Sequence, residues 1–457
     1  MTQAKSFPRG GVYPPDTSAL SRLEPLTNAA VPPRAIISMR QHAGPPAECI
    51  VRPGDGVREG MLIGRAQGPR SAHVHSSIPG RVVEIMEETV AGGERCQAVA
   101  IEMGGEFDRS GRAGEEREWQ ALSRFALLGK IQSAGVVDLG GTFQPAHLAL
   151  ASPPGGAVGV LIANGVESDP SLSCMSALLR EKAREIVTGL RIARKLLAPS
   201  RVVLVVGEAD GHLVPGFERA VDEAGEEIEI TVVSSKYPQG DAEQLAATLL
   251  GGRRAGQGTR RSVSATVGHA EDRHVVVLAV GTLLAVHEAV ALDKPLIERV
   301  VTVSGSIVRH PRNLKARIGT RIEELFDECG GLSAPAGAIV LGGLMMGRAV
   351  DSPNASLTKT VSGVIALSAK EARVPRERPC IGCGRCIDAC PWGLVPTRLY
   401  KLAAHGRCDA ALAEGLAACS ECGCCAFACP SRIPLADGLG RMKGACGAAG
   451  KIAEATA

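Results

Sequence analysis

Aromatic side chains make up only 3% of the 457 residues, so the chain offers few flat platforms on which bases could stack. It also lacks a surplus of either charge. Its 51 Lys and Arg stand against 48 Asp and Glu, and without a basic stripe no nucleic-acid partner is expected. Long apolar runs are missing too. Val158 to Ala163 and Ala338 to Met346 are among the longest, well short of the ~20 residues a spanning helix needs. No apolar stretch follows Lys5 and Arg9 within Met1 to Gly10, so that segment does not read as a secretory signal and a cytoplasmic chain is expected.

Glycine, proline and cysteine are plentiful. The 55 Gly and 28 Pro promise many tight turns, and the length predicts three or four domains of roughly 60 to 200 residues. Fifteen cysteines in a cytoplasmic chain read as metal ligands rather than disulfides, because that compartment keeps thiols reduced. Cys49, Cys96, Cys174 and Cys329 are scattered, whereas the other eleven crowd between Cys380 and Cys446.

From Ala35 to Glu102 short β-rich runs alternate with turn signals at Arg52 to Gly60 and Ile78 to Ile85, which predicts an all-β unit. Glu106 to Glu118 reads as a linker. Beyond it, the spacing of Leu179, Ala183, Ile186, Val187, Leu190 and Leu197 predicts one helix over Ser176 to Leu197. Strands are predicted at Arg201 to Gly207, Glu227 to Val233 and His274 to Val280. Helices near Pro215 to Ala224 and Ala242 to Leu250 alternate with them, the pattern of an α/β domain with a largely parallel sheet. Gly251 to Arg273 reads as a mobile loop. A strand at Val300 to Val303, a turn at His310 to Asn313 and a helix over Arg321 to Cys329 predict a small mixed unit ending near Lys370.

The chemistry is concentrated in two runs. Cys380, Cys383, Cys386 and Cys390 before Pro391, then Cys419, Cys422, Cys425 and Cys429 before Pro430, each spell C-x2-C-x2-C-x3-C-P, the bacterial two-cluster ferredoxin signature. Three thiolates on a tight loop can cap three irons of a cube, and the fourth cysteine of each run serves the other cluster. The expected ligand sets are therefore Cys380, Cys383, Cys386 and Cys429 for one 4Fe-4S cluster, and Cys419, Cys422, Cys425 and Cys390 for the second. Paired zinc knuckles are the bland alternative, but they use two C-x2-C pairs without the following proline. Cys424 breaks the spacing and reads as a packed or weakly exposed thiol. Cys408 and Cys446 read as unremarkable.

With these runs stand Gly10-Gly-Val-Tyr-Pro-Pro15, Gln41-His-Ala-Gly-Pro-Pro-Ala47, Asn164-Gly-Val-Glu-Ser-Asp-Pro170, Lys236-Tyr-Pro-Gln-Gly240, Lys294-Pro-Leu-Ile-Glu-Arg-Val300 and Gly342-Gly-Leu-Met-Met-Gly347. In that order they resemble the RnfC family, a peripheral component of ion-translocating ferredoxin:NAD oxidoreductase (Rnf) complexes, over nearly the whole chain. The resemblance implies a multidomain α/β and β architecture. An N-terminal extension over 1–30 would precede a biotinyl/lipoyl-like β-domain at 31–105. An FMN/NADH-type α/β domain like the flavin subunit of respiratory complex I would follow at 119–290, then a β-grasp unit at 291–370, a two-cluster ferredoxin-like domain at 371–440 and a tail at 441–457.

It further implies electron transfer at the cytoplasmic face of a membrane, through the clusters, between a soluble redox partner on the NADH or ferredoxin side and integral membrane subunits. Family members bind FMN and NADH through G-G-A-G-F-P-T-x-x-K, where backbone amides approach phosphate. Here Gly140 and Gly141 remain, but Phe143 replaces the third glycine, Gln144 the aromatic and Ala149 the lysine. Ala279 stands for a usual Asn and Ser168 for a usual Cys, while Glu167 and Asp169 are kept. The candidate flavin-site residues are thus Gly140, Gly141, Glu167 and Asp169. Either FMN binds in an altered way, or electrons come from a protein partner and the α/β domain is a scaffold; the departures favour loss of standard FMN and NADH chemistry. A soluble cobalamin reductase of the same family and a non-catalytic iron–sulfur adaptor are the alternative functions.

Overall fold

The structure, a computed structural model, describes residues 4–89, 95–105, 107, 116–151, 157–251, 266–270, 273–350 and 353–448. Its β-rich first unit has two small sheets. One runs in the order Arg34–Ser38, Arg95–Met103, Gly80–Thr89, Gly56–Val57, and the other Glu48–Cys49, Leu62–Arg65, Val74–His75. Ile37, Val82 and Val99 of the first sheet share one core with Ile63 and Val74 of the second. Burying apolar strand faces against one another is what holds such a unit together.

The α/β unit is built on the strands Glu229–Val233, Arg201–Gly207, Val158–Gly165, Arg273–Ala279 and Thr266–Ala270, in that spatial order. The first four pair in parallel, and Thr266–Ala270 runs antiparallel on the edge. The expected loop from Gly251 to Arg273 therefore contains an edge strand; residues 252–265 and 271–272 lie outside the described residues, as do 106 and 108–115 of the expected linker. The central strands are apolar along their length, as a sheet covered on both faces requires.

The single helix expected over Ser176 to Leu197 is two helices, Cys174–Glu181 and Ala183–Leu197, with Lys182 between them at φ −129°, ψ 29°. The reason is tertiary. Arg180 donates to the Arg22 carbonyl, and the Leu26 amide donates to Glu181, so the first helix is pinned to the N-terminal segment and the apolar stripe continues only after a change of direction.

The third unit is a six-stranded sheet with the helix Ile322–Glu328. One of its edge strands is Thr27–Asn28, parallel to Arg312–Arg317. Residues expected as an extension are thus woven into this sheet, while Lys5 bridges Val233 of the α/β sheet. The last unit consists of short helices, and its closing helix, Leu435–Ala448, runs through the boundary expected after residue 440. Met442 and Cys446 are buried there, and that apolar face keeps the helix continuous.

Lys359 ties the units together. Its Nζ donates to the carbonyls of His73 at 3.0 Å and Gly135 at 2.8 Å, and its amide donates to Gln41 Oε1. No helix among the described residues is long and apolar enough to cross a membrane.

Candidate functional site

The two cysteine runs take up the same backbone path. Gly382 and Gly384 in the first lie at φ +69° and +76°, while Glu421 and Gly423, at the corresponding places in the second, lie at +60° and +80°. Left-handed residues at these two places curl each loop, and glycine is the residue that adopts them without strain. Glu421, the non-glycine among them, forms an ion pair to Lys443 at 3.2 Å.

Cys390, Cys419, Cys422 and Cys425 line one pocket together with Trp392 and Leu439. Backbone amides already point at its sulfurs: Leu394 N donates to Cys390 Sγ and Glu421 N to Cys419 Sγ, both at 3.4 Å. Amide-to-sulfur bonds of this kind stabilise thiolates and tune cluster potentials. Burial pushes the Cys419 thiol up to about 11 and raises those of Cys390 and Cys425, so a metal bound by these sulfurs would have to displace their protons. Cys424 lines this pocket too, so five thiols surround it, and the amides on two of the sulfurs suit a cluster.

In the other expected set, Cys386 and Cys429 are buried in one apolar cluster with Ile433 and Leu435. Cys380 and Cys383 lie exposed on the loop above. Cys424 is fully buried, its Sγ 4.0 Å from the Tyr237 carbonyl.

Cys408 and Cys446, expected to be unremarkable, are disulfide-bonded, with a Cα separation of 5.8 Å. Spacing did not show this pair, because it joins the start of one helix to the end of another.

The inner pocket is pressed against the α/β unit. Tyr237 Oη donates to the Cys422 carbonyl at 2.7 Å, Trp392 Nε1 donates to Glu243 at 3.0 Å, and Gly11 N donates to the Ala389 carbonyl at 2.9 Å. The motifs around Gly10 and Tyr237 thus meet at this pocket, although they are distant in sequence.

The glycine-rich turn has a different arrangement from the one its motif implies. Asp138, 4% exposed, directs its carboxylate into the turn. Gly140 N donates to Oδ1 at 3.1 Å, Thr142 N and Thr142 Oγ1 donate to Oδ2 at 3.0 and 2.6 Å, and Thr282 Oγ1 donates to Oδ1 at 3.1 Å. The amides that would meet a phosphate already hold an anion. Phe143 adopts φ +53°, so the turn keeps a left-handed residue even without glycine there. Ala149 is buried in the helix Ala146–Leu150 and supplies no charge. The residues present therefore do not form a phosphate cradle, and Asp138 is the residue that sequence reasoning missed; its position two residues before Gly140-Gly141 was the available signal.

Glu167 and Asp169 serve the structure. Asp169 accepts from Ser171 N and Oγ at 2.9 and 2.6 Å and from the amides of Leu344 and Met345 at 3.2 and 2.8 Å, tying the third unit to the α/β unit. Glu167 accepts from Ser176 N at 2.9 Å. It retains some exposed surface as a residue, yet enclosure of its carboxylate, reinforced by the charge of Asp210, pushes it up to about 7. Ala279 precedes the helix Val280–Ala291, and a Cβ on Gly140 would come within 2.9 Å of its own Cβ. Close packing thus accounts for Gly140.

These features define a class: an oxidoreductase component that joins a flavin-subunit-type α/β domain to a cysteine-rich electron-transfer module. Residues 6–106 match the RnfC barrel sandwich hybrid domain, 131–288 the Nuo51 FMN-binding domain and 300–349 the SLBB domain. The RnfC-type subunit of the proton-translocating ferredoxin:NAD(+) oxidoreductase complex of Clostridium ljungdahlii is 35% identical over 87% of this chain and 84% of its own. The corresponding subunit of the ion-translocating oxidoreductase complex of Rhodobacter capsulatus is 32% identical over 89% of this chain and 77% of its own. A crystal structure of an NAD+-reducing NiFe-hydrogenase in the H2-reduced state shares the fold at a TM-score of 0.51 and 17% identity, over 71% of this chain and 61% of that one. The chain belongs to the RnfC family of Rnf complex subunits.

Proposed function

We propose that the chain is the electron-relay subunit of an Rnf-type ion-translocating complex, bound peripherally at the cytoplasmic face of its membrane subunits. Cys380, Cys383, Cys386 and Cys429 would hold one 4Fe-4S cluster, and Cys419, Cys422, Cys425 and Cys390 a second. Such clusters supply one-electron transfer, at potentials set by hydrogen bonds and exposure. The carrying observation is the convergence of Cys390, Cys419, Cys422 and Cys425 on one pocket beneath Tyr237.

The protein's own residues seat and tune this relay. Leu394 N and Glu421 N donate to ligand sulfurs, and burial excludes water around the inner set. Tyr237 and Glu243 fix the inner pocket against the α/β unit. That unit acts as a scaffold, because Asp138 occupies the amides of the glycine-rich turn, so neither FMN nor NADH reacts there in the standard way. A soluble redox protein then exchanges electrons with the clusters in place of NADH.

Anaerobic purification of the complex, with iron, sulfide and flavin quantified on this chain and NADH added, tests the reading. About eight irons, no flavin and no bleaching by NADH support it. Stoichiometric FMN with bleaching would return the α/β unit to a dehydrogenase role, and absence of iron would refute the relay.

A further inference from the structure

The two cysteine sets differ in one respect that motif spacing does not reveal. All four thiols of the inner set are buried, whereas Cys380 and Cys383 of the outer set are exposed. Every residue from Arg373 to Cys383 is exposed. Three apolar side chains stand out in or beside this stretch: Val374 at 92%, Ile381 at 71% and Phe427 at 47% exposure. Ile381 lies between the two exposed cysteines, and the helix carrying Phe427 packs on the helix Arg385–Asp388.

Cationic side chains surround them. Arg373, Arg376, Arg378, Arg385 and Arg432 are all exposed. Arg378 N donates to the Ser431 carbonyl and Arg432 N to the Cys429 carbonyl, which sets both beside the outer ligands. Many arginines elsewhere in the chain, such as Arg22, Arg191 and Arg201, are ion-paired, but no ion pair is formed by any of these five among the described residues. Glu371, Glu377 and Asp388 are the exposed acids nearby, Glu371 hydrogen-bonded to Ser368 and Ser306. Five guanidinium groups outnumber these three acids, so a positive rim surrounds an apolar centre with two exposed cysteines proposed as cluster ligands. Such a surface steers an oppositely charged partner and presents the redox centre to it.

We propose that this face is the docking surface for an acidic, one-electron redox protein or domain, which exchanges electrons with the outer cluster. The inference rests on the cluster reading above and specifies where the relay meets its partner. In the step, a reduced carrier gives up one electron and the outer cluster gains one, with no bond made or broken and no proton required. An anionic lipid surface would satisfy the charge but makes no use of the exposed ligands.

The test uses the full chain, iron-loaded and purified anaerobically, with a reduced acidic 4Fe-4S ferredoxin as probe. Stopped-flow rates of cluster reduction and the Kd of the oxidised ferredoxin are measured across ionic strength. Both should weaken steeply with salt. The double variant Arg373→Glu/Arg376→Glu should lower the low-salt rate by about tenfold or more and flatten its salt dependence, with iron content and the electron paramagnetic resonance spectrum unchanged. Arg219→Glu, on an exposed face of the α/β unit, should match the wild type. Normal iron content with rates and Kd indifferent to salt and to the charge reversal overturns the docking surface alone; lack of iron in the wild type overturns the cluster reading with it. Binding to phosphatidylglycerol vesicles that the same reversal abolishes, with ferredoxin rates unmoved, would assign the face to lipid and also overturn the proposal.

Discussion

Replacing Asp138 by alanine removes the acceptor of four hydrogen bonds, from Gly140 N, Thr142 N, Thr142 Oγ1 and Thr282 Oγ1. A bond to a charged group is worth about 1.5–3 kcal/mol, but contributions within one network are not additive. The two threonine hydroxyls can rotate to other partners or water, which leaves chiefly the two amides uncompensated. We expect a net loss of about 3 kcal/mol in the α/β unit. Urea unfolding followed by fluorescence of Trp119, buried in that unit's core, reads the change as a lower midpoint at constant slope. Thr282→Val offers an independent handle, because Thr282 also accepts from Leu139 N at 2.8 Å. The double variant should lose less than the sum of the two singles, since they share one network. If Asp138→Ala lies within about 0.5 kcal/mol of the wild type, the carboxylate does not organise the turn and the scaffold argument fails.

Glu167 makes stability depend on pH. Its folded value, about 7, lies above the usual 4.5, so its contribution is fully present below the unfolded value and is lost as pH rises through the folded one. Glu167→Gln should therefore be more stable than the wild type by about 2–3 kcal/mol at pH 8 and indistinguishable near pH 4; an advantage that does not change with pH would contradict this. Tyr237→Phe removes a bond to the Cys422 carbonyl and should cost about 1 kcal/mol, read as faster iron loss to a chelator; an unchanged rate would mean that the contact does not hold the pocket. Cys424→Ala should keep full iron content, whereas Cys425→Ala should lose the inner cluster, or about half the iron. Equal iron in the two variants would show that Cys424 can take over as ligand.

Much of the architecture was legible because it rests on local signals. The helix Ala242–Leu250 and the strand Arg201–Gly207 fall where periodicity and apolar runs placed them, and the repeated cysteine spacing identified loops that share a backbone path. What was missed depends on distant contacts. The break at Lys182 follows from Arg180 reaching the Arg22 carbonyl, and Thr266–Ala270 is a strand only because Arg273–Ala279 is there to pair with it. Departures at Phe143 and Ala149 could be read letter by letter, but not that Asp138 had filled the space, since an Asp near glycines is common in turns.

The segment from Lys5 to Val12 has a temporal consequence. It lies along Val233, exchanges amide bonds with Tyr237 at 3.0 and 2.9 Å, and reaches the Ala389 carbonyl through Gly11. At Gly10, with φ +66°, a Cβ would stand 2.5 Å from the carbonyl carbon of Cys390, so only glycine lets the strand settle against Pro391. On the ribosome these residues emerge well ahead of both halves of their seat, and one half is made from residues synthesised much later. Its bonds to Val233 and Tyr237 need only the α/β unit, whereas the contacts of Gly10 and Gly11 with Ala389 and Cys390 can form only once the cysteine module has emerged, so the segment closes on that module last, as a latch.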